Sequence, residues 1–267
     1  LHDALPILTL YFAPKSELNQ NKINWKPLTT ASDEIQNIIA YGNDLYLLSS
    51  KGNPHFNILK TNLQKPDLKN AEIVFKGTSE WKVSKIFLAK DFIIINKSKN
   101  ELIIKQSFYN LKTGKVSSPE IKLEGNIMAR NISTQDNEIL LSNTGWNIPN
   151  QFSTLDLETE KMTKNPFEIV YNMPFLKNIV AEEIEVRSHD GTMVPLSIIY
   201  DKTKVKRDGS DIGYMFGYGS YGASLTPNFR NEFIPFLTNG VVVAIAHVRG
   251  GGEKGSDWHL GGKKTTK

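Results

Sequence analysis

The chain has 267 residues, of which 39% are hydrophobic and 22% charged, a composition typical of a folded protein and not of a disordered one. Its net charge of +4 comes mostly from lysines scattered through polar segments. Because these lysines form no basic stripe, we expect no nucleic-acid partner.

Composition also excludes several kinds of site. There is no cysteine, so disulfide bonds and thiolate metal ligands are absent. No two of the five histidines have the helical spacing of metal ligands, and we predict neither a metal nor a cofactor. No apolar run approaches the ~18 residues that a membrane helix needs, so we predict no membrane association, and we expect a monomer.

The two ends of the chain are expected to be truncated. The opening LHDALPI resembles translated sequencing-adaptor sequence, so residues 1–7 are not assigned to the native protein. The chain does not begin with Met, and its first residues lack a signal-peptide pattern. We predict a cytoplasmic protein, with a periplasmic location as the alternative.

Three segments in the first two thirds of the chain share one pattern, in which an apolar strand, a polar turn and a second strand follow each other. Equivalent positions in them lie 46 and 47 residues apart. The segments are Asp44–Leu63, Asp91–Lys115 and Glu138–Lys161, aligned on Tyr46, Phe92 and Ile139. Further short strands are predicted between them, at Glu72–Phe75, Ser84–Leu88 and Ile121–Leu123.

Four strands recurring every ~40–50 residues are typical of β-propeller blades. An antiparallel sandwich of hairpins is the alternative that strand spacing leaves open. We predict a partial, all-β propeller of three to four blades over residues 1–178, with Trp81 and Trp146 filling space between blades. No functional residue is predicted before about Phe175.

A hairpin opens the second predicted domain, residues 179–267. Its first strand, Glu182–Ser188, alternates with Ile184 and Val186 on one face. The pair Asp190-Gly191 is typical of a hairpin turn, and Val194–Tyr200 is the return strand.

A βαβ unit follows the hairpin. Its strands are the apolar runs Ile212–Phe216 and Val241–Val248. We predict that the helix between them starts near Thr226, is bent or shortened at Pro235 and ends at Gly240. Strand, helix and strand at this spacing indicate a parallel sheet, whose ligands bind beyond the carboxyl ends of the strands.

The loop after the first of these strands fits two short motifs incompletely. Gly217, Gly219 and Gly222 match the dinucleotide pattern G-x-G-x-x-G, but the helix begins several residues too late for it. The same loop nearly fits the nucleophile elbow G-x-S-x-G around Ser220, but Tyr218 fills the first glycine position. Both interpretations are therefore disfavoured.

The longer pattern is more specific. GYGSYG, then TPNF, then AHVRGGGEKGSDWHLGGK resemble the prolyl oligopeptidase family of serine peptidases. This resemblance implies a propeller followed by the N-terminal part of an α/β-hydrolase domain, acting on short peptides. It implies that Tyr218 donates to the oxyanion, that Tyr221 lines the substrate pocket, and that Arg249 lies near the site and binds substrate. The alternative is that both tyrosines only pack in a βα turn.

The catalytic triad itself is missing from the sequence. In α/β-hydrolases its order is Ser, Asp or Glu, then His, with the serine in G-x-S-x-G, and the chain contains no such motif. His189 and Asp190 adjoin in a turn and are not predicted to form a catalytic pair. We also predict that neither His247 nor His259 is the catalytic base, and that this chain alone is inactive.

Three functions therefore remain in order of preference. The first is a fragment of a serine oligopeptidase that works through an acyl-enzyme, with cleavage after proline or after basic residues left open. The second is a propeller-based binding protein with a vestigial hydrolase tail. The third is a dinucleotide-binding enzyme.

Overall fold

A computed structural model describes residues 9–166 and 172–263. The adaptor-like residues 1–7 lie outside the described residues. Within them, no helix is long and apolar enough to cross a membrane.

Most of the described chain before residue 166 forms three four-stranded antiparallel sheets, each a simple meander. A two-stranded pair, β1 (Tyr11–Phe12) and β2 (Lys26–Pro27), precedes them. The first sheet contains β3 (Ile35–Tyr41), β4 (Asp44–Ser49), β5 (Asn57–Asn62) and β6 (Glu72–Lys76). The second contains β7 (Lys82–Leu88), β8 (Phe92–Lys99), β9 (Ile103–Asn110) and β10 (Val116–Ser117). The third contains β11 (Asn126–Asn131), β12 (Glu138–Thr144), β13 (Gln151–Asp156) and β14 (Met162–Lys164).

The apolar runs of these strands are explained by sheets packing face to face. Successive side chains of a strand point to opposite faces, so Ile93 and Ile95 of β8 pack against the first sheet. Ile94, between them, packs against the third sheet. All three isoleucines are fully buried. The second sheet is thus covered on both faces, as a blade between two neighbours is.

Two details differ from the sequence prediction. Ile121–Leu123 is not a strand; Ile121 and Leu123 instead pack, partly buried, against the core between the second and third sheets. Trp146 does not fill space between blades, because it packs with Ile179 and Ile199 of the following domain.

The last sheet mixes antiparallel and parallel pairs, in the order β15-β16-β18-β17. Its strands are β15 (Ile179–Arg187), β16 (Met193–Asp201), β17 (Gly213–Gly217) and β18 (Val242–Ala246). Two short helices accompany them, α1 (Ile234–Thr238) and α2 (Ser256–Leu260). The hairpin turn between β15 and β16 is the predicted one, with Gly191 at φ 85. Ile184 and Val186 remain exposed, because the described chain leaves that face of β15 uncovered.

The helix between β17 and β18 starts later than predicted. A 3₁₀ turn begins at Asn231, and Pro235 lies in the first turn of α1, where its missing N–H costs nothing. The segment around Thr226 is not helical. It is held against the third sheet, where the Phe229 N–H donates to Thr144 Oγ1 at 3.2 Å.

Candidate active site

The two glycine-rich loops leave the same edge of the last sheet. β17 and β18 are parallel, with Gly217 opposite Ala246, so both loops begin at neighbouring carboxyl ends. This edge is where open α/β sheets bind ligands. We define the first loop as residues 217–225 and the second as residues 247–253.

The loops touch through their backbones. The Gly222 N–H donates to the Gly250 carbonyl at 3.0 Å. A Cβ on Gly219 would lie 2.4 Å from the Arg249 carbonyl oxygen, and one on Gly250 would lie 2.1 Å from the Gly219 carbonyl oxygen. No side chain fits in such spaces, so both glycines are required for the close approach of the loops.

Two tyrosines of the first loop are presented to solvent at this edge. Tyr218 is 40% exposed and Tyr221 is 54% exposed. Tyr221 adopts the left-handed conformation, φ 58, which is uncommon for an aromatic residue and is found most often at functional sites. The Tyr218 hydroxyl forms no hydrogen bond within the described part of the chain, so it is free to donate to a ligand.

The structure places Arg249 beside these tyrosines, with its guanidinium engaged by a carboxylate. Arg249 Nη2 lies 2.6 Å from Asp190 Oδ2, in the turn between β15 and β16. Hydrogen bonds from Thr192, together with the charge of Arg249, lower the pKa of Asp190 to about 2. Asp190 is therefore ionised at neutral pH and binds Arg249. It does not form a catalytic pair with His189.

A serine, a histidine and a glutamate lie together beneath the loops. His247 Nε2 is 2.8 Å from Ser197 Oγ, and His247 Nδ1 is 3.8 Å from Glu253 Oε1. All three residues are 0% exposed, so no substrate carbonyl reaches the hydroxyl. Ser197 also donates to Glu183 at 2.6 Å. We interpret the group as a buried hydrogen-bond network and not as a nucleophile with its base.

The other polar residues considered in the sequence, His259 and Ser220, have no partner in the described chain that would activate them for catalysis. His259 is buried, and its Nδ1 donates to the Gly250 carbonyl at 2.9 Å, which supports the second loop from below. Ser220 forms no hydrogen bond to a histidine among residues 9–166 and 172–263. The same residues contain no cluster of His, Asp and Glu able to hold a metal ion.

A cavity of about 320 Å³ separates the loops from the first strands of the propeller-like sheets. Gln36, Ser84 and Met128 line it on one side, and Gly222 and Gly252 on the other. Gly222, which follows Tyr221 in the chain, borders this cavity. The size of the cavity is within the usual range for pockets that hold small ligands.

A lysine from the second sheet closes part of this cavity. Lys82 Nζ donates to the Gly252 carbonyl at 2.5 Å and lies 2.6 Å from Glu101 Oε1. Asn100 and Glu101 both have positive φ, 52 and 58, in the tight turn between β8 and β9. This turn directs the Glu101 carboxylate toward Lys82, so a blade of the first domain holds the second loop.

Comparison with known proteins agrees with this architecture. The model of the prolyl oligopeptidase family matches residues 227–267. The prolyl endopeptidase of Elizabethkingia miricola is 29% identical over 256 residues, or 93% of the chain. The chain is thus similar to the prolyl oligopeptidase family, through the family model at its C-terminal end and through a family relative over most of its length. It spans about a third of the length of the curated relatives it matches, 34% for the Elizabethkingia miricola protein.

Solved structures of family members share the fold. Prolyl oligopeptidase B from Galerina marginata, bound to a 35mer substrate, superposes with a TM-score of 0.84 at 21% identity, covering 97% of this chain and 37% of that one. Oligopeptidase B from Trypanosoma brucei, with covalently bound antipain, gives 0.79 at 20% identity, covering 91% and 36%. These likenesses confirm the predicted fold class, a partial propeller followed by part of an α/β-hydrolase. The boundary at residue 178 stays a prediction, as do the roles of Tyr218, Tyr221 and Arg249.

The buried polar groups that support the two loops were not predicted from the sequence. Each of them is within contact distance of a loop or of a residue that supports one: Glu183, Ser197, Glu253 and the Lys82–Glu101 pair. One signal was present. Glu253 immediately follows three glycines in the loop after an apolar strand, which is an unusual place for a carboxylate unless it accepts from backbone N–H groups, as it does from Leu225 of the first loop.

Proposed function

We propose that this sequence belongs to a serine peptidase that hydrolyses short peptides through an acyl-enzyme, with Tyr218 as a donor of the oxyanion hole. The observation that carries the proposal is the placement of Tyr218. Its phenol is exposed, has no hydrogen-bond partner among the described residues, and follows the carboxyl end of a parallel strand. Similarity to the prolyl oligopeptidase family supports the reaction type.

The chemistry fits a phenol at this position. Acyl transfer places negative charge on the carbonyl oxygen of the substrate, and a preset donor stabilises that charge more strongly in the transition state than in the substrate. The loop around Tyr218 is fixed by backbone contacts through Gly219 and Gly222, so the donor is preorganised. Tyr221, exposed in a strained conformation, is proposed to form part of the substrate pocket.

We further propose that the 267-residue chain is inactive by itself, because none of its serines occupies a G-x-S-x-G motif. The purified chain should not hydrolyse fluorogenic peptides. Turnover that a serine-directed inhibitor abolishes would contradict this. Of the two specificities left open, we favour cleavage after proline, because relatives matching over nine tenths of the chain are prolyl endopeptidases. Paired proline and arginine substrates distinguish the two.

The role of Tyr218 is tested in the protein extended to the length of its relatives. Tyr218→Phe keeps the ring and removes the donor, so we expect kcat to fall about 10²–10³-fold while KM changes by less than about twofold. Tyr214→Phe is the control, because it removes the hydroxyl of an exposed tyrosine in the preceding strand. Phe233→Tyr is unsuitable as a control because Phe233 is buried. An unchanged kcat in Tyr218→Phe removes this residue from the oxyanion hole.

A further inference from the structure

The loop that carries Tyr218 is attached to β18 at its start and to the second loop in its middle and at its end. At its start, Gly217 pairs with Ala246 across the parallel strands. In its middle, Gly222 donates to Gly250. At its end, the Leu225 N–H donates to a side chain, Oε1 of Glu253, at 3.0 Å. The last of these attachments is thus the one that a conservative substitution removes.

The Glu253 side chain is fully buried against the backbone of the second loop. The residue is 0% exposed, and Oε2 fills the space beside Gly251, where a Cβ would lie 2.1 Å from that oxygen. A buried carboxylate is costly unless it is paired and hydrogen-bonded. His247 Nδ1 lies 3.8 Å from Oε1, and neither that nitrogen nor Oε2 has a hydrogen-bond partner among the described residues, so the hydrogen bond from Leu225 is the one that Oε1 accepts.

His247 is in turn oriented by a chain of hydrogen bonds that reaches the first domain. The Ser197 hydroxyl has one hydrogen, which it donates to Glu183, so it accepts from His247 Nε2. Nε2 therefore carries a proton, and Nδ1 faces Glu253. The Trp146 indole N–H donates to the other oxygen of Glu183 at 3.2 Å. Partial burial raises the pKa of Glu183, against the opposing hydrogen bond from Ser197.

We propose that Glu253 is a positioning residue for the oxyanion donor: buried beside His247, its carboxylate accepts from the Leu225 N–H, fixes the end of the first loop and thereby sets the place of the Tyr218 hydroxyl. This inference rests on the proposed function. Glu253 is buried and touches no substrate, so it acts only through the loop. A displacement of about 1 Å at a catalytic group is enough to cost up to about 10²-fold in rate.

The kinetic test uses the extended protein with Glu253→Met, which keeps the length of the side chain and removes the oxygen that accepts from Leu225. We expect kcat to fall about tenfold or more with KM changed by less than about twofold, since the loss is confined to the transition state. Glu232→Met, at an exposed glutamate, is the matched control and should leave both constants unchanged.

A double mutant shows whether Glu253 acts through Tyr218. If it does, adding Glu253→Met to Tyr218→Phe lowers kcat by less than about twofold, because the hydroxyl that Glu253 positions is already gone. Multiplication of the two single effects would overturn the proposal, since Glu253 would then contribute independently of the phenol.

A structural test does not depend on activity. In the 267-residue chain, Glu253→Met should speed amide hydrogen exchange at least about tenfold in residues 217–225, and leave residues 92–110 of the second sheet unchanged. If the extended protein has no peptidase activity but exchange rises as expected, the proposed function fails and the positioning role stands. Unchanged exchange in residues 217–225 overturns the positioning role, whatever the activity.

Ser197→Ala is the second variant, and it decides the matter if Glu253→Met does not fold. It removes the acceptor that orients His247 and leaves Glu253 in place. We expect a smaller rise of exchange in the same loop. If Ser197→Ala instead speeds amide exchange equally in all parts of the chain, the variant has lost stability in general, and this would count against a local positioning role.

Discussion

The ion pair between Lys82 and Glu101 offers the sharpest test of how the two domains are joined. The side chains are only 11% and 8% exposed, and the nitrogen and oxygen lie 2.6 Å apart. Lys82→Met keeps most of the stem and removes the ammonium. It leaves the Glu101 carboxylate with one hydrogen bond, from Ser98 Oγ at 2.8 Å, and leaves the Gly252 carbonyl with the Gly255 N–H as its remaining donor.

The expected cost follows from the charge left behind. Breaking a buried pair by removing one partner typically destabilises a protein by about 3–5 kcal/mol, because the other charge stays buried and uncompensated. For a chain of this size each kcal/mol lowers Tm by roughly 2–4 °C, so Lys82→Met should lower Tm by roughly 6–20 °C. The loss should appear in thermal unfolding followed by circular dichroism and by tryptophan fluorescence.

Two further variants identify the cause. Lys82→Met combined with Glu101→Gln should recover most of the loss, because no buried charge remains. Lys99→Met is the control from the neighbouring strand: Lys99 pairs with Glu80 at 3.8 Å on the exposed surface, and its loss should cost less than about 1 kcal/mol. A Lys82→Met protein within about 1 kcal/mol of the parent, or a double variant no better than the single one, would refute the reasoning.

Two other predictions concern stability. The pKa of Asp190 is about 2, against an ordinary 3.8, so its charged form stabilises the fold above about pH 4 and this contribution disappears as the pH falls through 2. Curves of Tm against pH for Asp190→Asn and for the parent should therefore separate above pH 4 and converge near pH 2. Parallel curves would contradict the role of Arg249. Gly255→Ala should destabilise by about 1–3 kcal/mol in urea titration, because Gly255 has φ 99 and a Cβ there would lie 2.5 Å from the Pro54 carbonyl, whereas Gly213→Ala, in open space, should cost nothing.

The strands and turns were largely predictable because their signals are local. Alternation or continuous runs of isoleucine, leucine and valine predicted β4, β8 and β12, and Asp190-Gly191 predicted the hairpin between β15 and β16. The glycine-rich loops were predictable for the same reason, since a sharp turn or a close backbone approach is expressed in glycine. Ile121–Leu123 failed because alternation alone cannot supply a partner strand, and the late start of α1 was decided by a contact with Thr144.

The sequence by itself determined the kind of structure and the place of Tyr218, Tyr221 and Arg249, because short-range patterns fix strands, turns and the order in which loops leave a sheet. Only the tertiary structure decided what supports them. Lys82 meets Gly252 across 170 residues of chain, and Ser197 meets His247 across 50. A polar residue looks the same in a sequence whether it is solvated or buried against a distant partner. Its burial and its partner depend on how whole sheets pack, and that information is not local.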